Sequence, residues 1–278
     1  MTKMWAVCKR EFVGYFITPI GYVVAGVYAA ITGIGFVASF IFYARVSQSP
    51  ATYDYQGVPD LEETMLSPFL VFCGQVLLFL APLITMRLLA EEKHRGTIEL
   101  LLTHPLRDRE IIFGKYLAAL GMTAVLVLMV GVDMAIVGWV TQVETAVLLF
   151  GLLAVFLMAA SFLTVGLFIS AVAKNPMTAA TATFGAFFVT YILGAVSKDL
   201  PETIPTPESL SEGMQRAAAF LYGIFRGIAI ELPIDAHARD MAEGIVQPED
   251  IAYYLLFSAF FLFLTFRALE SRKWRAFA

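Results

Sequence analysis

The sequence predicts an all-α polytopic membrane protein, and three observations carry that prediction. Of its 278 residues, 59% are hydrophobic and 15% are charged, against about 45–50% and about 25% in soluble domains. The apolar residues fall in long blocks, and the mean hydropathy is +0.76. Lysine and arginine collect in alternate links between those blocks. A chain of this length holds about six spans and their links, with no room for a sizeable soluble domain besides. Residues 1–278 therefore read as a single transmembrane domain.

A span needs about 20 mostly apolar residues to cross a ~30 Å hydrocarbon core, and it must be a helix because a lone strand cannot satisfy its backbone in lipid. Six segments qualify: 20–43, 69–89, 116–140, 147–172, 177–196 and 251–269. Ahead of the first, Met4, Trp5, Cys8, Phe12, Tyr15 and Phe16 fall within an arc of about 120° at roughly 100° per residue, with Lys3, Lys9 and Arg10 outside it. Residues 1–19 thus form an amphipathic interfacial helix that contacts membrane lipid, with Trp5 at the headgroup level. The same face would serve as a simple anchor or as one wall of a docking site. The first apolar run has full span length and no small-residue cleavage pattern follows it, so it does not read as a cleavable signal.

Charge sets the orientation. Of the 19 cations, 14 fall on one side of a six-span arrangement: ahead of span one, in the link between spans two and three, at Lys174, and after span six. By the positive-inside rule both termini are cytoplasmic. The opposite side is acidic, with Asp54, Asp60, Glu62, Glu63 and Glu144 and ten further acids between spans five and six.

Residues 197–250 form the only large external link. A turn-forming stretch with Pro201, Pro205 and Pro207 opens it. Residues 214–230 are apolar but carry Arg216 and Arg226, which makes them short and polar for a crossing and suggests a re-entrant or surface-lying helix pair. Gln247-Pro248-Glu249-Asp250 reads as a helix start. Spans one and five carry small residues every fourth position: Gly21, Ala25, Ala29 and Gly33, then Thr178, Ala182, Ala186, Thr190 and Gly194. Such faces let helices approach closely, within one subunit or at a dimer seam. Asp133 is the one acid well inside a span, and such acids usually face protein or water.

Several chemistries have no support. Phe113-Gly114-Lys115-Tyr116 lacks the earlier glycine and the Ser/Thr of a phosphate-binding loop, and neither His-Glu-x-x-His nor Gly-x-Ser-x-Gly occurs. His94, His104 and His237 have no ligand spacing, so no metal is expected. Cys8 and Cys73 lie in segments that cannot form a disulfide. No cofactor, catalytic residue or nucleic-acid partner is expected for this chain.

The densest charge cluster, residues 86–115, links spans two and three. Residues 87–93 continue span two out of the membrane as a helix, with Glu91 and Glu92 on its solvated end. Gly96 takes a positive φ and ends it. Thr97 caps a short helix with Glu99 in its first turn and Leu100, Leu101 and Leu102 as an apolar surface. Thr103-His104-Pro105 stops that helix, and Asp108 caps span three. The three leucines would face the membrane or fill a groove on another protein.

The run from Pro82 through Met86-Arg87-Leu88-Leu89-Ala90-Glu91-Glu92-Lys93-His94-Arg95-Gly96 to Pro105, followed by Gly114-Lys115, resembles the signature of ABC type-2 permeases. It is most similar to the gliding-motility-associated subgroup. Thr18-Pro19-Ile20-Gly21-Tyr22 and Leu269-Glu270-Ser271-Arg272-Lys273-Trp274 extend the likeness over essentially the whole chain. The resemblance implies two permease subunits, the second being the same or a different chain, and two cytoplasmic ABC ATPases that bind ATP and Mg. It also implies that residues 96–103 are the coupling helix, with the N-terminal helix beside it and the external link capping the translocation path. The function expected is therefore that of an exporter's membrane subunit. A gradient-driven transporter or channel and a non-transporting scaffold for a motility or secretion complex are the alternatives.

Overall fold

The computed structural model describes residues 3–53, 57, 59–96, 107–141, 143–197, 200–201, 212–234 and 237–275. Among these, every regular element is a helix: α1 (Lys3–Ile17), α2 (Pro19–Gln48), α3 (Ser67–Thr85), α4 (Ala90–His94), α5 (Asp108–Val140), α6 (Thr145–Val172), α7 (Pro176–Ser197), α8 (Glu212–Glu231), α9 (Ala238–Ala242) and α10 (Pro248–Arg275). Six helical stretches are long and apolar enough to cross a membrane, with α3 and α4 counted in one of them from Glu62 to His94. A π-turn at Glu62–Leu66 leads into that stretch. The helices overrun the predicted spans because their polar ends continue the same backbone, most visibly at Asp108–Val140.

The bundle is built around α6. It packs against α3, α5, α7, α9 and α10, and the apolar windows of α6 and of the Glu62–His94 stretch are 56% and 67% buried. Those of α2, α7 and α10 are 17% buried, so these three are peripheral. The close approach of α3 and α6 depends on Gly166. A methyl group there would lie 2.8 Å from Thr85 Cβ and closer still to its hydroxyl. Thr85 is fully buried and its hydroxyl donates to Ala81 O at 2.9 Å, so it has little room to yield. Gly166→Ala is therefore expected to destabilise the chain by about 2 kcal/mol through overpacking, read as a lower denaturation midpoint in mixed micelles.

α1 turns sharply into α2. The Thr18 hydroxyl donates to Gly14 O at 3.0 Å, Pro19 opens α2 where its missing N–H costs nothing, and Gly21 lies under the last turn of α1. A Cβ on Gly21 would sit 2.9 Å from the Tyr15 carbonyl carbon. The apolar face of α1 seats on α5 through Val7 and Cys8, both buried. Glycines on α5 make the seat: a Cβ at Gly114 would lie 2.9 Å from Val7 Cβ, and one at Gly121 would lie 3.0 Å from the Phe12 ring. Met4, Phe12 and Phe16 are half-buried along this seat. Trp5, 50% exposed, points away from it.

At the far end, residues 214–230 form part of one uninterrupted helix, α8, rather than a pair. No proline falls between Glu212 and Glu231 to break it. The five-residue α9 follows and inserts between α3 and α6, with Ala238, Met241 and Ala242 buried. Its connection to α8 is held against the start of α10: Tyr254 donates to Ile234 O at 2.7 Å, and His237 Nδ1 lies 3.0 Å from Asp250 Oδ1. The predicted helix start at Pro248 is present, but Asp250 is buried in this contact instead of facing solvent.

Candidate functional site at the root of the basic elbow

The route out of span two is broken, where the sequence suggested continuity. Residues 86–89 form turns between α3 and α4. Pro82 has no N–H and sits in the last turns of α3, and the orphan donors that the break creates are claimed from outside. Ser170, near the end of α6, accepts from the N–H groups of Leu89 and Ala90 at 3.1 and 3.0 Å and donates to Met86 O at 3.3 Å. One hydroxyl thus uses both its acceptor positions and its donor. Lys93 completes the joint. Its ammonium donates to the carbonyls of Ser170 and Ala173 at 3.3 and 3.2 Å and also to Ala171 O. A cation at the carboxyl end of a helix is the arrangement the helix dipole favours.

A charge network joins this joint to α1 and α5. Lys115, about two turns into α5, has 1% of its side chain exposed and lies 3.0 Å from Glu11 Oε1 and 2.9 Å from Glu92 Oε1. Arg10 reaches the same two acids at 2.6 and 3.4 Å. Outside this network, Glu91 pairs with Arg95 at 2.6 Å and with Arg87 at 3.8 Å. Three elements distant in sequence, the interfacial helix, α4 and the first turns of α5, are thus held by one cluster of opposite charges.

Burial pushes the Glu11 carboxyl up, but the Lys115 ammonium and the hydrogen bonds from Arg10 and Lys115 outweigh it, holding Glu11 below the ordinary carboxylate range. Burial also raises the Cys8 thiol and the Tyr15 hydroxyl, and Tyr15 donates to Ile84 O at 3.0 Å. Because the folded Glu11 pKa is depressed, its contribution is complete above the ordinary carboxylate value and is lost as pH falls through the folded value. The denaturation midpoint of the chain should therefore fall on acidification below about pH 4.5, the ordinary value, and Glu11→Gln should lose that part of the slope.

The predicted coupling residues separate into two groups. Glu91 and Glu92 stand together at the elbow root, and Gly96 has φ +69°, with its N–H donating to Lys93 O at 3.1 Å. Thr97, Glu99, Leu100, Leu101, Leu102 and Thr103 lie outside the described residues. Span three begins with Arg107 as the flanking residue, whose N–H donates to Glu110 Oε2 at 2.9 Å, so Glu110 rather than Asp108 provides that contact.

The candidate seam residues are divided. Gly21 is buried against α1, Ala25 and Gly33 are half-buried and Ala29 is exposed. On α7 the buried residues are Ala179, Thr183, Phe187 and Gly194, while Ala182 is exposed and Ala186 half-buried. Asp133 is half-buried on α5, within electrostatic reach of Tyr28 and Cys73, and has no ion-pair partner among the described residues. Ser170, Lys93, Lys115 and Glu11 are the site residues that sequence reasoning missed. Lys93 and Lys115 stood in the sequence among the elbow cations and in the permease-like signature, although a lysine abutting an apolar run, as in Lys115-Tyr116, is a signal of a buried charge.

No curated protein matches the chain in sequence. Residues 46–271 match the family described as ABC-2 family transporter protein, a range that takes in the elbow and every span from the second to the sixth. With six helices of membrane-crossing length and that match over most of its length, the chain is an integral membrane permease and belongs to the ABC-2 family of transporter proteins.

Proposed function

We propose that the chain is the membrane subunit of an ATP-driven exporter, working as a dimer with a second permease and moved by separate cytoplasmic ABC ATPases. ATP and Mg are bound on those partners, and this chain catalyses nothing itself. The elbow side faces the cytoplasm of a prokaryote, as the excess of cations there favours. Among the subgroups of the family, the gliding-motility-associated permeases are the ones that the elbow sequence resembles most.

The observation that carries the reading is the elbow root. A partner that pushes on residues 96–103 needs a lever whose base does not yield. Here Ser170, Lys93 and Lys115 tie that base to α6, α1 and α5. Force on the elbow would pass to the central helix and the interfacial helix together. The open small-residue positions on α2 and α7 support a seam with the second permease.

Affinity purification of the full chain from its own membranes tests this. An ABC ATPase is expected in a one-to-one ratio with the permease subunits, and the second permease as either another copy of the chain, two per complex, or a different protein in equal amount. Recovery of the chain with neither would sink the reading.

A further inference from the structure

We infer that the cleft between α1 and the elbow root binds the phosphate of an anionic phospholipid. The cleft has a volume of about 600 Å³. Its lip carries Arg10, Arg87 and Arg95, and its wall runs past Thr18 to Ile20 and Leu83, at the ends of the first two spans. One end is thus charged and the other is made of side chains from membrane-length helices.

The guanidinium groups are held in place but not used up. The side chains of Arg10, Arg87 and Arg95 are 58%, 42% and 68% exposed, and each guanidinium has five N–H donors. Arg10 and Arg95 each reach their acids through one terminal nitrogen, and Arg87 approaches Glu91 only at 3.8 Å. The remaining donors are available to a ligand with several acceptor oxygens.

The charge balance specifies that ligand further. Among the described residues, four cations, Arg10, Arg87, Arg95 and Lys115, line the cleft against the three acids Glu11, Glu91 and Glu92. One positive charge is left over, the complement of a phosphodiester. Guanidinium forks match phosphate geometry and make charge-assisted bonds to it.

The apolar wall chooses the source of that phosphate. Leu83 is 39% exposed beside the cleft, and Ile20 is half-buried in its wall. An acyl chain lying over Leu83 and Ile20 covers apolar surface that a soluble phosphate would leave open. The occupant is a glycerophospholipid with one negative charge, bridging the interfacial helix and the elbow root.

The full chain in mixed micelles, titrated with phosphatidylglycerol or phosphatidylcholine and read by native mass spectrometry, tests the site. Phosphatidylglycerol is expected to bind about tenfold tighter, the size of one favourable charge-assisted contact. The combined Arg10→Gln, Arg87→Gln and Arg95→Gln variant should lose that preference. Removing as many cations elsewhere, by Arg45→Gln, Lys174→Gln and Arg267→Gln, should keep it. Should the first combination fail to fold, the single variants Arg87→Gln and Arg95→Gln must each weaken the preference.

Equal binding of the two lipids would overturn the assignment, as would a preference that survives the arginine variants. Glycerol 3-phosphate supplies the remaining arm. If it competes as well as the lipid does, the site takes a soluble phosphate and the lipid is excluded.

Discussion

Lys115→Met should destabilise the chain by about 3 kcal/mol, the low end of what breaking a buried ion pair costs. The ammonium is 1% exposed, whereas its partners Glu11 and Glu92 are 22% and 17% exposed. Methionine matches the volume and leaves two carboxylates facing each other around an apolar side chain. Arg10 can still reach both acids, which holds the cost toward the lower bound. Denaturant titration in mixed micelles measures the loss, and the partner substitution identifies its origin. Adding Glu92→Gln to Lys115→Met should recover part of the stability, because it removes one of the two carboxylates that have lost the ammonium. A loss below about 1 kcal/mol, of the order of an exposed pair, would mean that the network does not fasten α1 to the elbow root.

Replacing Leu100, Leu101 and Leu102 together by serine should lower association with the ATPase by about 100-fold or more. Full burial of one leucine side chain contributes about 1.5–3 kcal/mol, so three leucines seated even partly in a groove supply well over the ~2.8 kcal/mol that corresponds to two decades. Glu99→Arg should act in the same direction by placing a cation near the positive end of the coupling helix proposed for residues 96–103. The readout is the amount of ATPase recovered with the tagged permease, set against unchanged permease in the membrane. Full recovery with both variants would refute the coupling assignment for residues 96–103.

The spans were legible because lipid removes the alternatives: an apolar block of span length has only the helix open to it. Gly96 and Pro248 were legible for local reasons, since positive φ and a missing N–H are properties of the residue itself. The elbow root was not. Lys115 meets Glu11 across 104 positions of sequence, and no local pattern announces a pairing at that distance. Ser170 looks like any small polar residue inside an apolar run until the N–H groups of Leu89 and Ala90 are seen to need it. The seat of α1 was half-legible. The apolar arc included Trp5 and left out Val7, whereas Val7 is buried where Gly114 on α5 lets it seat and Trp5 is 50% exposed.

The joint between Ser170 and the turn at 86–89 also constrains the order of assembly. Leu89 and its acceptor are 81 residues apart, and Lys93 is 78 residues from Ala171. When the second span enters the bilayer, its exit turn has donors and a lysine whose partners have not yet been synthesised. They stay with water and headgroups until the fourth span arrives. The elbow root therefore acquires its final shape late, and a nascent chain halted before residue 145 would hold it by the Lys115 network alone, without its fastening to α6.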